Sequence, residues 1–229
     1  MRTYGQWCAL AKALDVIGDR WTLLLVRELV LQGPCRFTDL RNGLPGIASN
    51  LLSTRLKELE ENGVIRRESA PPPVATTLFH LTALGHRLEP ALQALTLWGV
   101  NLKTEIGADD EAFRAHWMTY PLHWVLEDSR PRDALATIQL VAAGEPVFVE
   151  VDGGHIGVRP GQTQPADLTI EGHPDAIMGL LLGRIPISQA DAVGLDVTGR
   201  TALLRRVMRT TPHPALANLL LTERRQRSS

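Results

Sequence analysis

The chain has 229 residues, which exceeds the commonest size of a single hydrophobic core and favours two domains. Its net charge is −1, but the residues up to Thr104 carry +3 and those after it −4, which favours a boundary between residues 1–104 and 105–229. A weakly basic first half assists the approach of a polyanion but excludes nucleic-acid binding by bulk charge alone.

Several function classes have no support in the composition. No apolar run approaches the roughly 18 residues that a membrane helix needs, and no segment resembles a signal peptide, so we expect a cytoplasmic protein without a membrane partner. Cys8 and Cys35 are the two cysteines, too few for a disulfide framework or a metal quartet. Because nucleophile–base and phosphate-loop motifs are also missing, the sequence predicts no metal, no cofactor and no enzyme.

Helical patterns dominate the first half. Apolar residues recur from Trp7 to Ile17, and a second helix is expected over residues 20–31 with Asp19 as its N-cap. A short helix with Thr38 as the expected cap follows, and the loop "GLPGI" leads into one more helix. The order of helix, tight turn and helix is typical of a helix-turn-helix.

The helix that follows the "GLPGI" loop has two unlike faces. At the helical step of about 100° per residue, its apolar residues fall in one arc and are expected to face a core: Ala48, Leu52, Leu56 and Leu59. Its opposite face carries short polar side chains and one lysine: Asn50, Ser53, Thr54 and Lys57. Most polar helix faces simply meet solvent, but short donors and acceptors without acidic neighbours suit the major groove of DNA. The pattern predicts a recognition helix.

A β-ribbon and a long helix follow. "VIRRE" and "TTLFHL" are short β-prone segments separated by the proline-rich "SAPPPVA", which predicts two strands with a loop at the tip. Placed after a helix-turn-helix, this ribbon is a wing, and Arg66 and Arg67 would lie near a phosphate backbone. From Thr82 a helix is expected to run to Leu102 with a kink at Pro90 and to pack partly against a second copy.

These segments resemble the HxlR-type winged helix-turn-helix transcriptional regulators, relatives of the MarR group. The resemblance rests on "ALDVIGDRWTLLLVREL", "GPCRFTDLRNGLPGI", "LLSTRLKELEENGVIRRE" and "LTALGHRLEPALQALTLWG". It implies a homodimer that binds double-stranded operator DNA, with the recognition helices in successive major grooves. Two departures concern Ala48, at the usual cap position, which Ser49 is expected to replace, and Thr76, where a wing arginine is usual. The candidate DNA-binding residues are Arg36, Ser49, Asn50, Ser53, Thr54, Arg55, Lys57, Arg66 and Arg67.

Cys8 occupies a position that some members of this family use for sensing oxidants or electrophiles. The unpaired amides of a helix N-terminus and the nearby Lys12 would stabilise its thiolate. The alternative is a small buried core residue, since cysteine is among the most buried residue types. Both readings stay open at this point.

The second half changes to alternating β patterns. "TIQLV", "VFVEV", "HIGVR", "DLTIE" and "LDVTG" each place apolar residues on one side, which predicts an antiparallel sheet. "HPDAIMGLLLGRI", with Asp175 near its start, and "RTALLRRVMRT" have helical spacing and are expected to cover that side. The expected fold class is therefore α+β, with a mostly helical winged helix-turn-helix followed by an α+β domain.

Over residues 135–209 this arrangement is similar to the sterol carrier protein type 2-like domain, notably in "VEVDGGHIGVRPG", "ADLTIEGHPDAIMGLLLGRI" and "LDVTGRTALLRRVMR". The resemblance implies an apolar tunnel that accepts a hydrophobic small molecule. The candidate ligand-binding residues are Trp117, Met118, Trp124, Met178, Leu181, Leu182, Ile185 and Met208. An amphipathic stripe of a filled core has the same pattern, so each side chain also fits as plain core.

Together these patterns favour a dimeric DNA-binding repressor whose operator binding responds to a hydrophobic effector in the second domain. Two alternatives stay open. One is a carrier of hydrophobic ligands or an assembly module that uses the winged helix for protein contacts. The other is a thiol-based redox regulator that acts through Cys8.

Overall fold

The computed structural model describes residues 3–69, 71, 76–99, 112–163 and 165–210. The chain divides into two compact units, Met1–Thr96 and Leu97–Ser229. The boundary expected between residues 104 and 105 lies outside the described residues. Among the described helices, none combines the length and the apolar character that crossing a membrane requires.

The first unit contains six helices, the last of which ends three residues beyond it, and a small sheet among its described residues. The helices are α1 (Ala9–Ile17), α2 (Thr22–Gln32), α3 (Phe37–Gly43), α4 (Ser49–Glu61), α5 (Ala83–His86) and α6 (Glu89–Gly99). The strands are β1 (Cys35–Arg36), β2 (Ile65–Ser69) and β3 (Thr77–Leu81), in the antiparallel order β1-β3-β2. The predicted ribbon is thus confirmed, while its tip, residues 72–75, lies outside the described residues.

The expected helix starts are partly wrong. Asp19 does not cap α2, because Trp21 adopts a left-handed backbone with φ 78° and the helix begins only at Thr22. The Asp19 carboxylate instead accepts a hydrogen bond from Arg55 Nη1 at 2.6 Å. Thr38 does not cap α3 either, since that helix begins one residue earlier and Asp39 Oδ2 accepts from the backbone N–H of Arg36 at 2.9 Å.

The long helix expected after Thr82 is two helices. The first helix begins at Ala83, and Thr82, the expected start, is its N-cap, since Thr82 Oγ1 accepts from the backbone N–H of Gly85 at 3.2 Å. The helix then ends at His86, and α6 starts at Glu89, so Pro90 lies in a first turn rather than at a kink. A first helical turn has no internal partner for that N–H, and proline is tolerated there. Leu102 lies outside the described residues.

The second unit contains a five-stranded sheet covered by short helices. The strands are β4 (Ala136–Ala142), β5 (Glu145–Asp152), β6 (His155–Pro160), β7 (Leu168–Gly172) and β8 (Asp196–Gly199), in the order β6-β5-β4-β7-β8. The helices are α7 (Thr119–Val125), α8 (Pro174–Leu181) and α9 (Leu204–Val207), with 3₁₀ turns at Ala115–Met118, Ile187–Gln189, Asp191–Val193 and Thr201–Leu203.

The prediction of a purely antiparallel sheet is wrong at one ladder. Strands β4 and β7 pair in parallel, with Leu140 opposite Ile170, whereas the other three ladders are antiparallel. The alternation of apolar residues predicted the buried face correctly, because Leu140, Val149 and Ile170 are all fully buried. Alternation fixes which face of a strand is apolar but not the direction in which the strand runs.

Candidate nucleic-acid interface and ligand cavity

Helix α4 presents the face on which the DNA-binding prediction depends. Leu52, Leu56 and Leu59 are 0%, 2% and 1% exposed, so three of the four predicted core positions are confirmed. Ala48 is exposed and precedes the helix as an extended residue with no side-chain cap, which corrects its assignment to the apolar arc. The expectation that Ser49 caps α4 is also wrong, because Ser49 is already the first helical residue.

The opposite side of α4 meets solvent in the described unit. Asn50, Ser53 and Thr54 are all exposed. Ser53 Oγ donates to the carbonyl of Ser49 at 3.0 Å, and Thr54 Oγ1 donates to that of Asn50 at 3.0 Å. Asn50 Oδ1 accepts from the backbone N–H of Leu51 at 2.8 Å. The hydroxyl oxygens keep acceptor capacity and the Asn50 amide keeps its donors, so this face can exchange hydrogen bonds with base edges or phosphates.

The two cations of α4 differ in availability. Lys57 is well exposed and lies 3.7 Å from Glu61, its i+4 neighbour, which is a weak pairing at a solvated surface. Arg55 has a side chain only 14% exposed, and its Nη1 pairs with both Asp19 and Glu58. Arg55 is therefore held within the fold, and Lys57 is the α4 cation that points outward.

The wing arginines are exposed but also paired. Arg66 Nη1 donates to Glu68 on the same strand, and Arg67 Nε donates to Glu60 Oε2 at 2.7 Å. The hydrogen bond and charge of Arg66, together with the charge of His80, lower the pKa of Glu68. Thr76 lies at the edge of the described wing and is half-buried. The wing therefore presents arginines whose charge neighbouring carboxylates largely compensate.

Arg36 completes the set of predicted DNA-binding cations. It is exposed at the end of β1, where it pairs with Leu78 of β3, and it directly precedes α3. No carboxylate forms an ion pair with the Arg36 side chain among the residues that the structure describes. Arg36 is thus more available to an incoming phosphate than Arg66 or Arg67.

The two thiols have opposite environments. Cys8 is exposed and is the extended residue directly before α1, where Lys12 lies on the first turn. Cys35 is 2% exposed, and its Sγ donates to the carbonyl of Gly33 at 3.3 Å. Burial, assisted by the charges of Asp39 and Glu28, raises the pKa of Cys35 to about 12. Exposure therefore makes Cys8 the accessible thiol and leaves Cys35 in the core.

The second unit has an apolar cavity of about 420 Å³. Its lining residues come from the end of α8, the following loop and the segment from Thr201 to Met208: Leu180, Gly183, Ile185, Pro186, Ile187, Thr201, Ala202, Leu204, Arg205 and Met208. Only Ile185 and Met208 were among the predicted ligand-binding residues. Leu180 and Leu204 have the apolar spacing of core residues, while the loop and exposed turn residues of the lining carry no periodic signal, so sequence patterning selected neither group.

Most of the predicted ligand-binding side chains lie elsewhere. Met118, Trp124 and Leu181 are nearly fully buried in the hydrophobic core and are not among the lining residues of this cavity. Met178 and Leu182 are half-buried and pack against the same core. Trp117 is half-buried and contacts Phe113 edge to face, with ring centroids 6.3 Å apart. These predicted residues thus pack closely against other side chains of the second unit.

Residues 16–106 match the family of HxlR-like helix-turn-helix proteins. The chain is 38% identical over 87 residues to the uncharacterized HTH-type transcriptional regulator YvaP of Bacillus subtilis, which covers 38% of this chain and 80% of that relative. It is 33% identical over 86 residues to the HTH-type transcriptional regulator YodB of the same organism, covering 38% of this chain and 76% of YodB. The solved structure of the redox regulator HypR in its reduced form is 31% identical, covers 41% of this chain and 91% of that chain, and has a TM-score of 0.38.

Proposed function

Because this chain belongs to the HxlR-like helix-turn-helix family, we propose that it is a DNA-binding transcriptional regulator, and specifically a dimeric repressor. Two copies of α4 enter successive major grooves of an operator, and the wings lie against the adjoining backbone. The second unit, interpreted as a sterol-carrier-like ligand-binding domain, changes operator affinity when a small apolar effector binds.

The exposed polar face of α4 carries this proposal. Its leucines anchor the helix in the core, while Asn50, Ser53 and Thr54 point outward with hydrogen-bonding capacity to spare. Such side chains read base edges, and the outward Lys57 supplies contact with phosphate. Arg36 and the wing arginines add phosphate contacts that set position and orientation without reading sequence.

Exposed apolar side chains support the proposed dimer. Leu10 and Leu14 on α1, Leu95 and Trp98 on α6, and Trp7 before α1 are all exposed, and Trp7 is fully so. Large exposed apolar side chains are the kind of residue that a protein–protein contact covers. A symmetric dimer must place its two recognition helices roughly 34 Å apart to reach successive grooves.

The DNA-binding proposal is tested by fluorescence anisotropy with the DNA upstream of the chain's own gene and with unrelated DNA. Lys57→Ala is expected to weaken binding to both, and to lower the slope of log K against log salt by about 0.9. Asn50→Ala is expected to reduce the preference for the specific site by about 1–3 kcal/mol. Lys12→Ala, which removes an exposed lysine from α1 instead, should change neither quantity.

The same titration separates the regulator from a carrier or assembly module. A carrier would show no preference for any duplex, and neither Asn50→Ala nor Lys57→Ala would alter its properties. Operator binding that is unchanged by both substitutions would show that α4 is not the recognition helix.

The effector can change operator affinity only if it binds the DNA-competent and DNA-incompetent states of the protein unequally.

The exposure of Cys8 favours a second candidate function, regulation by thiol chemistry. The Cys8 thiol lies directly before α1 and is exposed, so it is accessible to electrophiles. Cys8→Ser is expected to retain operator binding and to abolish any loss of binding caused by a quinone. A response to quinone that persists in Cys8→Ser would exclude this role.

A further inference from the structure

The cavity of the second unit is lined mostly by apolar residues and by one cation. Leu180 and Leu204 are buried lining residues, while Ile185, Ile187 and Met208 are partly or fully exposed. Arg205 is the one charged residue among the described lining residues. An apolar cavity with a single convergent charged group is the usual design of a site for a small amphipathic molecule.

Arg205 differs from the arginines around it. Arg200 pairs with Asp167, Arg206 with Asp128, and Arg209 with Glu127. Arg205 has no ion-pair partner among the residues that the structure describes. The arginine that faces the cavity is therefore the one left free to meet an anion from outside the chain.

Thr201 provides the second polar group of the lining. Thr201 precedes Arg205 by four residues. Both residues are exposed, so a ligand can contact them without displacing buried protein contacts. A guanidinium binds a carboxylate through two parallel N–H donors, and a threonine hydroxyl can donate one more hydrogen bond. One cation and one hydroxyl match a monoanion better than a dianionic phosphate ester.

The volume limits the apolar part of the ligand. Apolar space of about 150 Å³ accepts a benzene molecule. The cavity, at about 420 Å³, is large enough for one or two rings or a medium-length alkyl chain.

We propose that the cavity binds an apolar monocarboxylate, with its carboxylate on Arg205 and Thr201 and its carbon skeleton along Leu180, Ile185 and Met208. This proposal identifies the chemical class of the effector. Only the expected change in operator affinity rests on the proposed function. The binding itself depends on the residues of the second unit alone.

Isothermal titration calorimetry of the full chain with octanoate and with 1-octanol tests the proposal, because these ligands share an apolar chain and differ in charge. Octanoate is expected to bind about tenfold more tightly, a modest factor because Arg205 is exposed to water. Arg205→Met keeps the apolar stem and should remove that tenfold difference. Arg159→Met, which removes an exposed arginine of β6 outside the cavity, should preserve it.

A second variant tests the location. Ala202 is an exposed lining residue, so Ala202→Phe fills the cavity without disturbing the core and should weaken both ligands at least tenfold. The proposal is overturned if octanoate and 1-octanol bind equally, if Arg205→Met and Arg159→Met behave alike, or if neither ligand binds. Ligand binding that is insensitive to Ala202→Phe overturns it too. If a second copy covers this surface instead, Ala202→Phe alters sedimentation equilibrium and octanoate does not bind, which also overturns it.

Operator binding is then measured with and without octanoate in the same preparation. Octanoate binding by a chain that never prefers specific DNA would uphold the cavity assignment and refute the proposed regulator. Specific DNA binding without any octanoate binding would refute the cavity assignment and uphold the proposed regulator. The two proposals therefore fail separately.

Discussion

A buried ion pair holds the part of the second unit that carries the cavity wall. Arg206 donates to Asp128 through Nε at 2.8 Å and through Nη2 at 3.0 Å, and the two side chains are 4% and 0% exposed. Asp128 also accepts from the backbone N–H groups of Arg130 and Gly154, each at 3.0 Å. Arg206 Nη1 donates to the carbonyl of Ala134 at 2.7 Å. The pair thus fixes α9, which carries Leu204 and Arg205, to the β5–β6 turn and the segment before β4.

Asp128→Asn removes one charge and leaves the other buried. Loss of one partner of a buried pair destabilises by about 3–5 kcal/mol, because an uncompensated charge remains. That is a large share of the roughly 5–15 kcal/mol that stabilises a domain. Replacing both partners, as in Asp128→Leu with Arg206→Met, is expected to recover much of the loss, since no buried charge then remains.

Urea unfolding followed by circular dichroism measures this change as a shift of the transition midpoint of the second unit. Glu127→Gln is the matched control, because the adjacent Glu127 pairs with Arg209 at 3.0 Å, but at side-chain exposures of 30% and 25%. This control should lose no more than about 1 kcal/mol. Equal midpoints for Asp128→Asn and Glu127→Gln would refute the reasoning about the buried pair.

The pH dependence provides an independent check. The hydrogen bond from Arg206, with those from Arg130 and Gly154 and the Arg206 charge, lowers the pKa of Asp128 to about 2. Because the folded-state pKa is the lower one, the stabilisation is present above the unfolded value of about 3.9 and is lost as pH falls towards 2. This lowering of the pKa corresponds to roughly 2–3 kcal/mol of stabilisation at neutral pH. Asp128→Asn should lack this part of the acid sensitivity.

Three further predictions concern the first unit. Glu68→Gln releases Arg66 from its ion pair and is expected to tighten binding to any duplex several-fold and to steepen its salt dependence, as measured by anisotropy at several salt concentrations. Gly85→Ala would place a Cβ 2.3 Å from the backbone oxygen of Val64, which must shift, so a loss of about 1–3 kcal/mol in unfolding free energy is expected from urea titration. Iodoacetamide at pH 8 is expected to alkylate Cys8 and to spare Cys35, whose pKa is raised by burial to about 12, as read by mass spectrometry of the intact and digested chain.

The elements of both units could be predicted where one physical signal dominated. Helix α4 followed from leucines at helical spacing and a polar opposite face, and the strands of the second unit followed from alternation. Competing local interactions explain the wrong helix starts. Asp19 is a good N-cap residue, but the left-handed backbone of Trp21 delays α2, and Arg55, 36 residues later in the chain, binds the carboxylate instead. No local pattern contains that partner.

The site in the second unit could not be derived from apolar spacing, and the reason is physical. A side chain that lines a cavity and one that fills a core are both apolar and both occupy the inner stripe of a helix. Met118 and Leu181 proved to be core, while Ile185 and Met208 line the cavity. The residue that distinguishes the cavity from the core is charged, Arg205, rather than apolar. In the segment from Arg200 to Arg209, three of four arginines pair with carboxylates distant in sequence, and the exception, among the described residues, is the one that faces the cavity. Pairing of this kind depends on tertiary structure, so only the fold separates the binding arginine from the structural ones.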